Sequence, residues 1–161
     1  MLRIVKILLI LSVAAWALIG ALGNVIDWGG TTGAVAAATS MSTFDTVPAS
    51  ARATSNPAVI LIGALLITAF KIGVGALCLL GAWRMWDARR GDAADFARAK
   101  SLALTGCGVA MFMLFAGWIV IAETWFELWR SPVLLDPVLG SAFRYGGFIA
   151  VIALFVGARE E

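Results

Sequence analysis

Four long apolar runs, each interrupted by very few charges, leave this chain few folds to adopt. A helix of roughly 20 apolar residues crosses a bilayer core about 30 Å thick, and it pairs its own backbone groups in lipid. The runs lack the strict alternation of a membrane barrel. We predict an all-α integral membrane bundle, one domain over residues 1–161, with four transmembrane helices at residues 4–23, 58–83, 102–129 and 143–157. The fourth run is short, so its helix is expected to begin before Phe143.

The composition excludes several classes of protein. The chain is 61% hydrophobic and 14% charged, whereas soluble domains are closer to half apolar and a quarter charged. Histidine is absent, which removes the commonest metal ligand and the usual general base. Cys78 and Cys107 lack the spacing of a metal site, and the net charge of +2 is too small for a nucleic-acid binder. We expect no metal, no nucleic-acid partner and no enzymatic activity.

The positive charges predict an orientation. Eight of the twelve Lys and Arg residues fall in the terminal segments or in the connection 84–101, and three fall in the other two connections. Because Lys and Arg collect on the cytoplasmic side, we predict that both termini face the cytoplasm. The connection 24–56 is then a long outer loop. In it we expect a turn at Gly29-Gly30, a short helix near residues 34–38 and a coil around Pro48.

The connection 84–101 has the pattern of two helix ends. Gly91 is a typical residue after a helix end, and Asp92 is a good cap for the next helix. We therefore expect one helix to end before Gly91 and another to begin directly after Asp92.

Lys71 is the most unusual residue of the spans, because it lies near the middle of the second one. A charge at that depth is costly and marks a functional site by default. Its amine is expected to face a carboxylate, a substrate or a partner protein. The alternative is structural: the side chain extends to the interface or is neutral in a polar pocket.

A second group of polar residues lies at the outer end of the bundle. Glu123 and Glu127 are four apart, which places them on one face of an α-helical third span, and Arg130 and Arg144 are their expected partners. We interpret the group as a salt-bridge cluster rather than a proton relay. Two further residues end the first span and are expected to cap the turn and to reach the Glu123 cluster: Asn24 and Asp27.

Two stretches resemble a known family. One is the sequence GNVIDWG at residues 23–29, and the other is ETWFELWRS at residues 123–131, followed by Phe143-Arg144. With the four-span layout they resemble the domain-of-unknown-function 2165 family of predicted bacterial small integral membrane proteins. The resemblance covers nearly the whole chain. It implies a multi-pass protein of the bacterial inner membrane and brings no established activity with it.

Three functions are compatible with these features. The leading hypothesis is a non-catalytic accessory or assembly subunit of a larger membrane complex, with a respiratory or other energy-transducing complex as one candidate. The alternative is a small oligomeric transporter or channel that uses Lys71. A membrane enzyme acting on lipid or quinone has the weakest support. Membrane lipids and other membrane subunits are the expected partners. We expect no cofactor, although a bound lipid or quinone is compatible with the apolar spans.

Overall fold

The computed structural model describes residues 1–44 and 50–159, and this part of the chain is helical without strands. Four of its helical segments are long and apolar enough to cross a membrane: Leu2–Ile26, Pro57–Arg90, Ala93–Trp125 and Leu135–Gly157. The predicted all-α bundle of four spans is therefore confirmed. The α-helices are α1 (Leu2–Ile26), α2 (Trp28–Thr39), α3 (Pro57–Asp87), α4 (Ala93–Ala99), α5 (Ser101–Phe112) and α6 (Ser141–Gly157).

Local signals start the helices where the sequence places them. Pro57 is the first residue of α3, and Asn56 caps that helix by accepting a hydrogen bond from the Ala58 backbone N–H at 2.9 Å. Asp92 caps α4 in the same way, with the Asp95 N–H 2.7 Å from its carboxylate. Gly91 lies directly before that cap, so the expected meeting of two helix ends is confirmed.

The long connection after α1 is more helical than expected. The chain turns at Asp27, and Gly29 and Gly30 lie in the first turn of α2 instead of forming the turn themselves. The expected short helix is thus part of a 12-residue helix. It packs so closely on α3 that a Cβ at Gly63 would come 3.0 Å from Val35 Cγ1. The coil expected around Pro48 lies outside the described residues.

The third span changes its helix type halfway. After α5 it continues as a π-helix over Met113–Trp125, and a short 3-10 helix follows at Leu128–Arg130. The span therefore ends earlier than predicted. Glu127 has a left-handed backbone, with φ of 51°. Glu123 and Glu127 consequently do not share a helix face, and the prediction that they do is wrong. The fourth span does begin before Phe143, with a π-helical turn at Leu135–Gly140.

The first turn of α1, the last turn of α6 and the α3–α4 connection lie at one end of the bundle, here called the terminal end. The Arg3 guanidinium donates to the carbonyls of Arg89 (3.0 Å) and Gly91 (2.7 Å). The Lys6 and Lys100 amines both donate to the Ala158 carbonyl, at 3.1 and 2.9 Å. The opposite end, which carries α2, is called the distal end.

The core fills the terminal half. Buried residues of α1 end at Ala17 in the main core cluster, and those of α3 begin at Val74. Glycine allows α3 and α5 to touch: a Cβ at Gly81 would overlap the Ala103 backbone, and one at Gly106 would lie 2.6 Å from Cys78 Sγ. Small residues permit such close approach in lipid.

Candidate functional site

Lys71 lies between α1 and α3, where the packed core ends. Its Nζ is 3.2 Å from Asn24 Oδ1 and 3.5 Å from the Gly20 carbonyl oxygen. The Asn24 amide in turn donates to Thr68 Oγ1 at 3.3 Å, and the Thr68 hydroxyl donates to the Ala64 carbonyl at 2.9 Å. These bonds form a polar ladder across the α1–α3 contact. Asn24 thus serves Lys71 and Thr68, not the Glu123 cluster.

No carboxylate faces the Lys71 amine in the described part of the chain. Both of its acceptors are neutral oxygens, a side-chain amide and a backbone carbonyl. The amine is half-buried. A cation removed from water is normally paired with an anion, so the charge of Lys71 is hydrogen-bonded but has no counter-charge among the described residues.

Two cavities meet at Lys71. The larger has a volume of about 720 Å³ and extends to the distal end, between α1, α2 and α3 on one side and the π-helix on the other. The smaller has a volume of about 340 Å³ and lies between α1, the third span and α6. Lys71, Met113 and Trp118 line both of them. Together they make a continuous site, here called the Lys71 groove.

The π-helix forms one wall of the groove. In a π-helix each hydrogen bond joins residues five apart, so residues at that spacing lie on the same face. The wall contains pairs five residues apart, 113 with 118, 116 with 121 and 117 with 122, and also pairs four apart, such as 113 with 117 and 118 with 122. The Phe126 N–H bonds to the Ile121 carbonyl, five residues back, at 3.0 Å. π-Helices are rare and often occur at functional sites.

The opposite wall is a face of α3. Four of its apolar members, at positions 59, 62, 66 and 70, lie three or four residues apart, as one side of an α-helix requires, and Ile67 flanks them. The small cavity adds aromatic walls, with the rings of Trp16 and Tyr145 in tilted contact at 5.3 Å between centroids. The α3 side chains along the larger cavity are Val59, Ile62, Leu66, Ile67 and Phe70.

Asp27 lies at the distal mouth of the larger cavity. Its side chain accepts a hydrogen bond from the Gly30 N–H at 2.9 Å and so caps α2. The expected capping role of Asp27 is confirmed. Its expected link to the Glu123 cluster is not seen among the described contacts.

The distal ion-pair cluster has a different membership from the predicted one. Glu127 pairs with Arg130 at 2.8 Å, as expected, and with Arg52 at 3.4 Å. The other predicted partner, Arg144, is exposed and contacts no carboxylate in the described chain. Glu123 is half-buried and makes no ion pair with a described residue. Glu127 lies beyond the π-helix with a left-handed backbone, and its carboxylate meets Arg52 of the preceding loop as well as Arg130.

Sequence reasoning missed three residues that matter. The sequence indicates only that Arg52 is a charge in a loop. In the structure it pairs with Glu127, and its guanidinium lies 5.4 Å from the Trp125 ring centroid. Lys6 and Lys100 were counted only as orientation signals, yet they are 1% and 3% exposed. They bind the carbonyl end of α6, where the helix dipole favours cations. Their position near span ends was the available signal for the two lysines.

The described residues include no group of three or more Cys, Asp or Glu able to hold a metal ion. Cys78 and Cys107 are both free and buried, at the α3–α5 contact where Gly106 packs on Cys78. The arrangement offers one cation, a polar ladder and a largely apolar groove. Chemically, it can bind and orient an amphipathic molecule.

Comparison with known proteins adds a family and no relative of known activity. No curated protein and no solved structure matches the chain. The model of one family, described as "Predicted small integral membrane protein (DUF2165)", matches residues 2–159. Since that match spans nearly the whole chain, this integral membrane protein belongs to the domain-of-unknown-function 2165 family.

Proposed function

We propose that this protein is a non-catalytic accessory or assembly subunit of a larger membrane complex. The observation that carries the proposal is the Lys71 groove, whose ionisable lining residues in the described part of the chain are Asp27, Lys71 and Tyr145. Asp27 is engaged in capping α2. A groove with one cation and no matched acid and base, or activated nucleophile, is built for binding and not for turnover.

The outer surface of α6 supports contact with another chain. Phe143, Phe148 and Leu154 are each more than two-thirds exposed. A Cβ at Gly147 would meet nothing within 4 Å. Such a glycine lets a neighbouring helix approach closely in lipid.

The native mass of the tagged protein, extracted in mild detergent, tests the accessory role. We expect a stoichiometric complex with at least one other membrane chain, identified by mass spectrometry. Gly147→Leu should weaken the association by blocking the α6 surface, whereas Gly108→Leu is the matched control, since that glycine also has open space around it. Isolation of the chain alone from its native membrane would overturn the proposal.

We further propose that the protein lies in the inner membrane of a bacterium with its terminal end in the cytoplasm. The charge distribution supports this, because the terminal end holds eight of the twelve Lys and Arg residues. Reporter fusions at the carboxyl terminus test it: a cytoplasmic reporter should be active and a periplasmic one silent. The reverse pattern would contradict the orientation.

A second candidate function is a small oligomeric transporter or channel. The observation in its favour is that two cavities share Lys71 as a lining residue. In reconstituted vesicles, Lys71→Ala should then abolish anion flux while leaving assembly intact. If Lys71 instead meets a partner chain, the same variant should weaken assembly.

A further inference from the structure

We propose that the Lys71 groove binds a long-chain carboxylic acid, with the carboxylate against the Lys71 amine and the hydrocarbon chain in the larger cavity. The proposal goes beyond the accessory role. It stands whether or not a partner chain is found, because it concerns a ligand held within this chain.

The charge of Lys71 selects an anion. Among the described residues, its amine touches only neutral oxygens, those of Asn24 and Gly20, and the nearby Thr68 is neutral as well. A carboxylate placed beside the amine would form a charge-assisted hydrogen bond, which is shorter and stronger than either present contact. The low-polarity surroundings strengthen that attraction.

The number of cationic side chains in the groove favours a ligand with a singly charged head group. Lys71 is the one cationic side chain among the described residues that line the two cavities, and the other ionisable lining residues are Asp27 and Tyr145. One ammonium matches one carboxylate. A phosphate monoester carries up to two charges and would leave one uncompensated.

The length and apolar lining of the groove fit a hydrocarbon chain. Val59 and Lys71 line it and lie twelve residues apart on α3, so the apolar wall is about 18 Å long at the rise of an α-helix. The volume of about 720 Å³ falls in the range of pockets that enclose small molecules, roughly 300–1,000 Å³. The opposite π-helical wall is apolar too, with Met113, Ala116 and Ile121 facing the space.

Gly117 offers a way to close the groove without disturbing the fold. It lines the larger cavity, and a Cβ there would meet nothing within 4 Å. A leucine at this position would therefore extend into the cavity. Gly147 has the same open space on α6 but does not line the groove, and it provides the matched control.

The experiment measures binding of radiolabelled palmitate to the full-length protein, purified in mild detergent, by scintillation proximity. We expect saturable binding that unlabelled palmitate displaces, whereas hexadecanol, with the same chain and a neutral head, displaces it at least tenfold less well. Lys71→Met should raise the Kd about tenfold or more, as loss of a hydrogen bond to a charged group implies. Lys71→Arg should keep most of the binding, and Gly117→Leu should abolish it.

Two controls leave the groove intact. Arg144→Gln removes an exposed cation, and Gly147→Leu adds the same bulk on α6, so both should bind palmitate as the wild type does. Equal competition by hexadecanol, stronger competition by hexadecyl phosphate, or unchanged binding by both Lys71→Met and Gly117→Leu would overturn the proposal. Because Gly117→Leu acts from the opposite wall, it decides the question even if Lys71→Met fails to fold. The native mass of the wild-type complex is read separately, so failure of the accessory role is a distinct outcome.

Discussion

The helices are closely packed in the terminal half of this bundle and separated by a cavity in the distal half. In the terminal half, small residues bring α3 and α5 into backbone contact at Gly81 and Ala103, and the core is closed. In the distal half, the third span is a π-helix, and a cavity of about 720 Å³ separates it from α3. Lys71 lies at the boundary. The difference shows that a bundle whose spans have similar hydropathy can be close-packed at one end and contain a large cavity at the other.

Charge is used differently in the two halves as well. The terminal lysines, Lys6 and Lys100, are buried and converge on one backbone carbonyl, that of Ala158. The distal arginines, Arg52 and Arg130, pair with the partly exposed Glu127. Buried bonds to charged groups contribute more to stability than exposed ion pairs do. Mutations should therefore cost more in the terminal half than in the distal half.

The largest effect is expected for Phe96→Ala in the terminal half. Phe96 is 0% exposed, and its ring lies between the Arg3 guanidinium (4.9 Å from its centroid) and the Lys100 amine (5.3 Å). Removing a buried phenyl ring should lower the free energy of unfolding by about 3–5 kcal/mol. Unfolding by SDS in mixed micelles measures this. Phe148→Ala is the control, because that ring is 71% exposed. Equal losses of unfolding free energy in the two variants would show that the terminal half is not close-packed around Phe96.

A smaller loss is expected for Gly81→Leu. A side chain at this position must push the α5 backbone away at Ala103, and overpacking of this kind costs about 1–3 kcal/mol. Gly73→Leu adds the same side chain to the same helix where a Cβ meets nothing within 4 Å, so its unfolding should match the wild type. A stable Gly81→Leu protein would show that the α3–α5 contact is not close-packed.

Glu127→Gln should have a modest effect in the distal half. The variant loses both ion pairs, to Arg52 and Arg130, but keeps the size of the side chain. Partly exposed pairs of this kind contribute about 0.5–1 kcal/mol, and salt screens them. The difference in unfolding free energy between variant and wild type should therefore shrink at high ionic strength. A difference that is independent of salt would assign the loss to the backbone turn instead.

The smallest effect on stability is expected for Gly117→Leu. The side chain would enter the cavity and not a packed contact, so the free energy of unfolding should change by about 0.5 kcal/mol or less. Gly106→Leu provides the contrast within the same span, since its Cβ would lie 2.6 Å from Cys78 Sγ. If both substitutions lower the free energy of unfolding equally, the distal half does not contain the cavity.

Much of the architecture was readable from local patterns. The four apolar runs predicted the four spans, and the Asn56-Pro57 and Gly91-Asp92 signals predicted helix boundaries that are confirmed. The Glu127–Arg130 pair followed from a spacing of three residues and is confirmed as well. These predictions succeed because each depends on residues that are neighbours in the sequence.

The predictions that failed assumed an α-helical period throughout. Glu123 and Glu127 share a face only if the third span stays α-helical, and it does not. Two glycines of α3 also have different surroundings, since Gly73 faces open space while Gly81 meets Ala103. Nothing in the apolar composition of residues 113–125 distinguishes a π-helix from an α-helix.

Hydropathy was enough to establish the membrane class and the number of spans, and charge predicted that the two termini lie on the same side as the α3–α4 connection. Only the tertiary structure decided that Lys71 meets Asn24 and Gly20, that Glu127 meets Arg52, and that a groove opens beside the π-helix. The physical reason is the number of residues and helices on which each property depends. Transfer into lipid is decided nearly residue by residue, whereas a cavity is a property of several helices at once and depends on how closely their backbones approach.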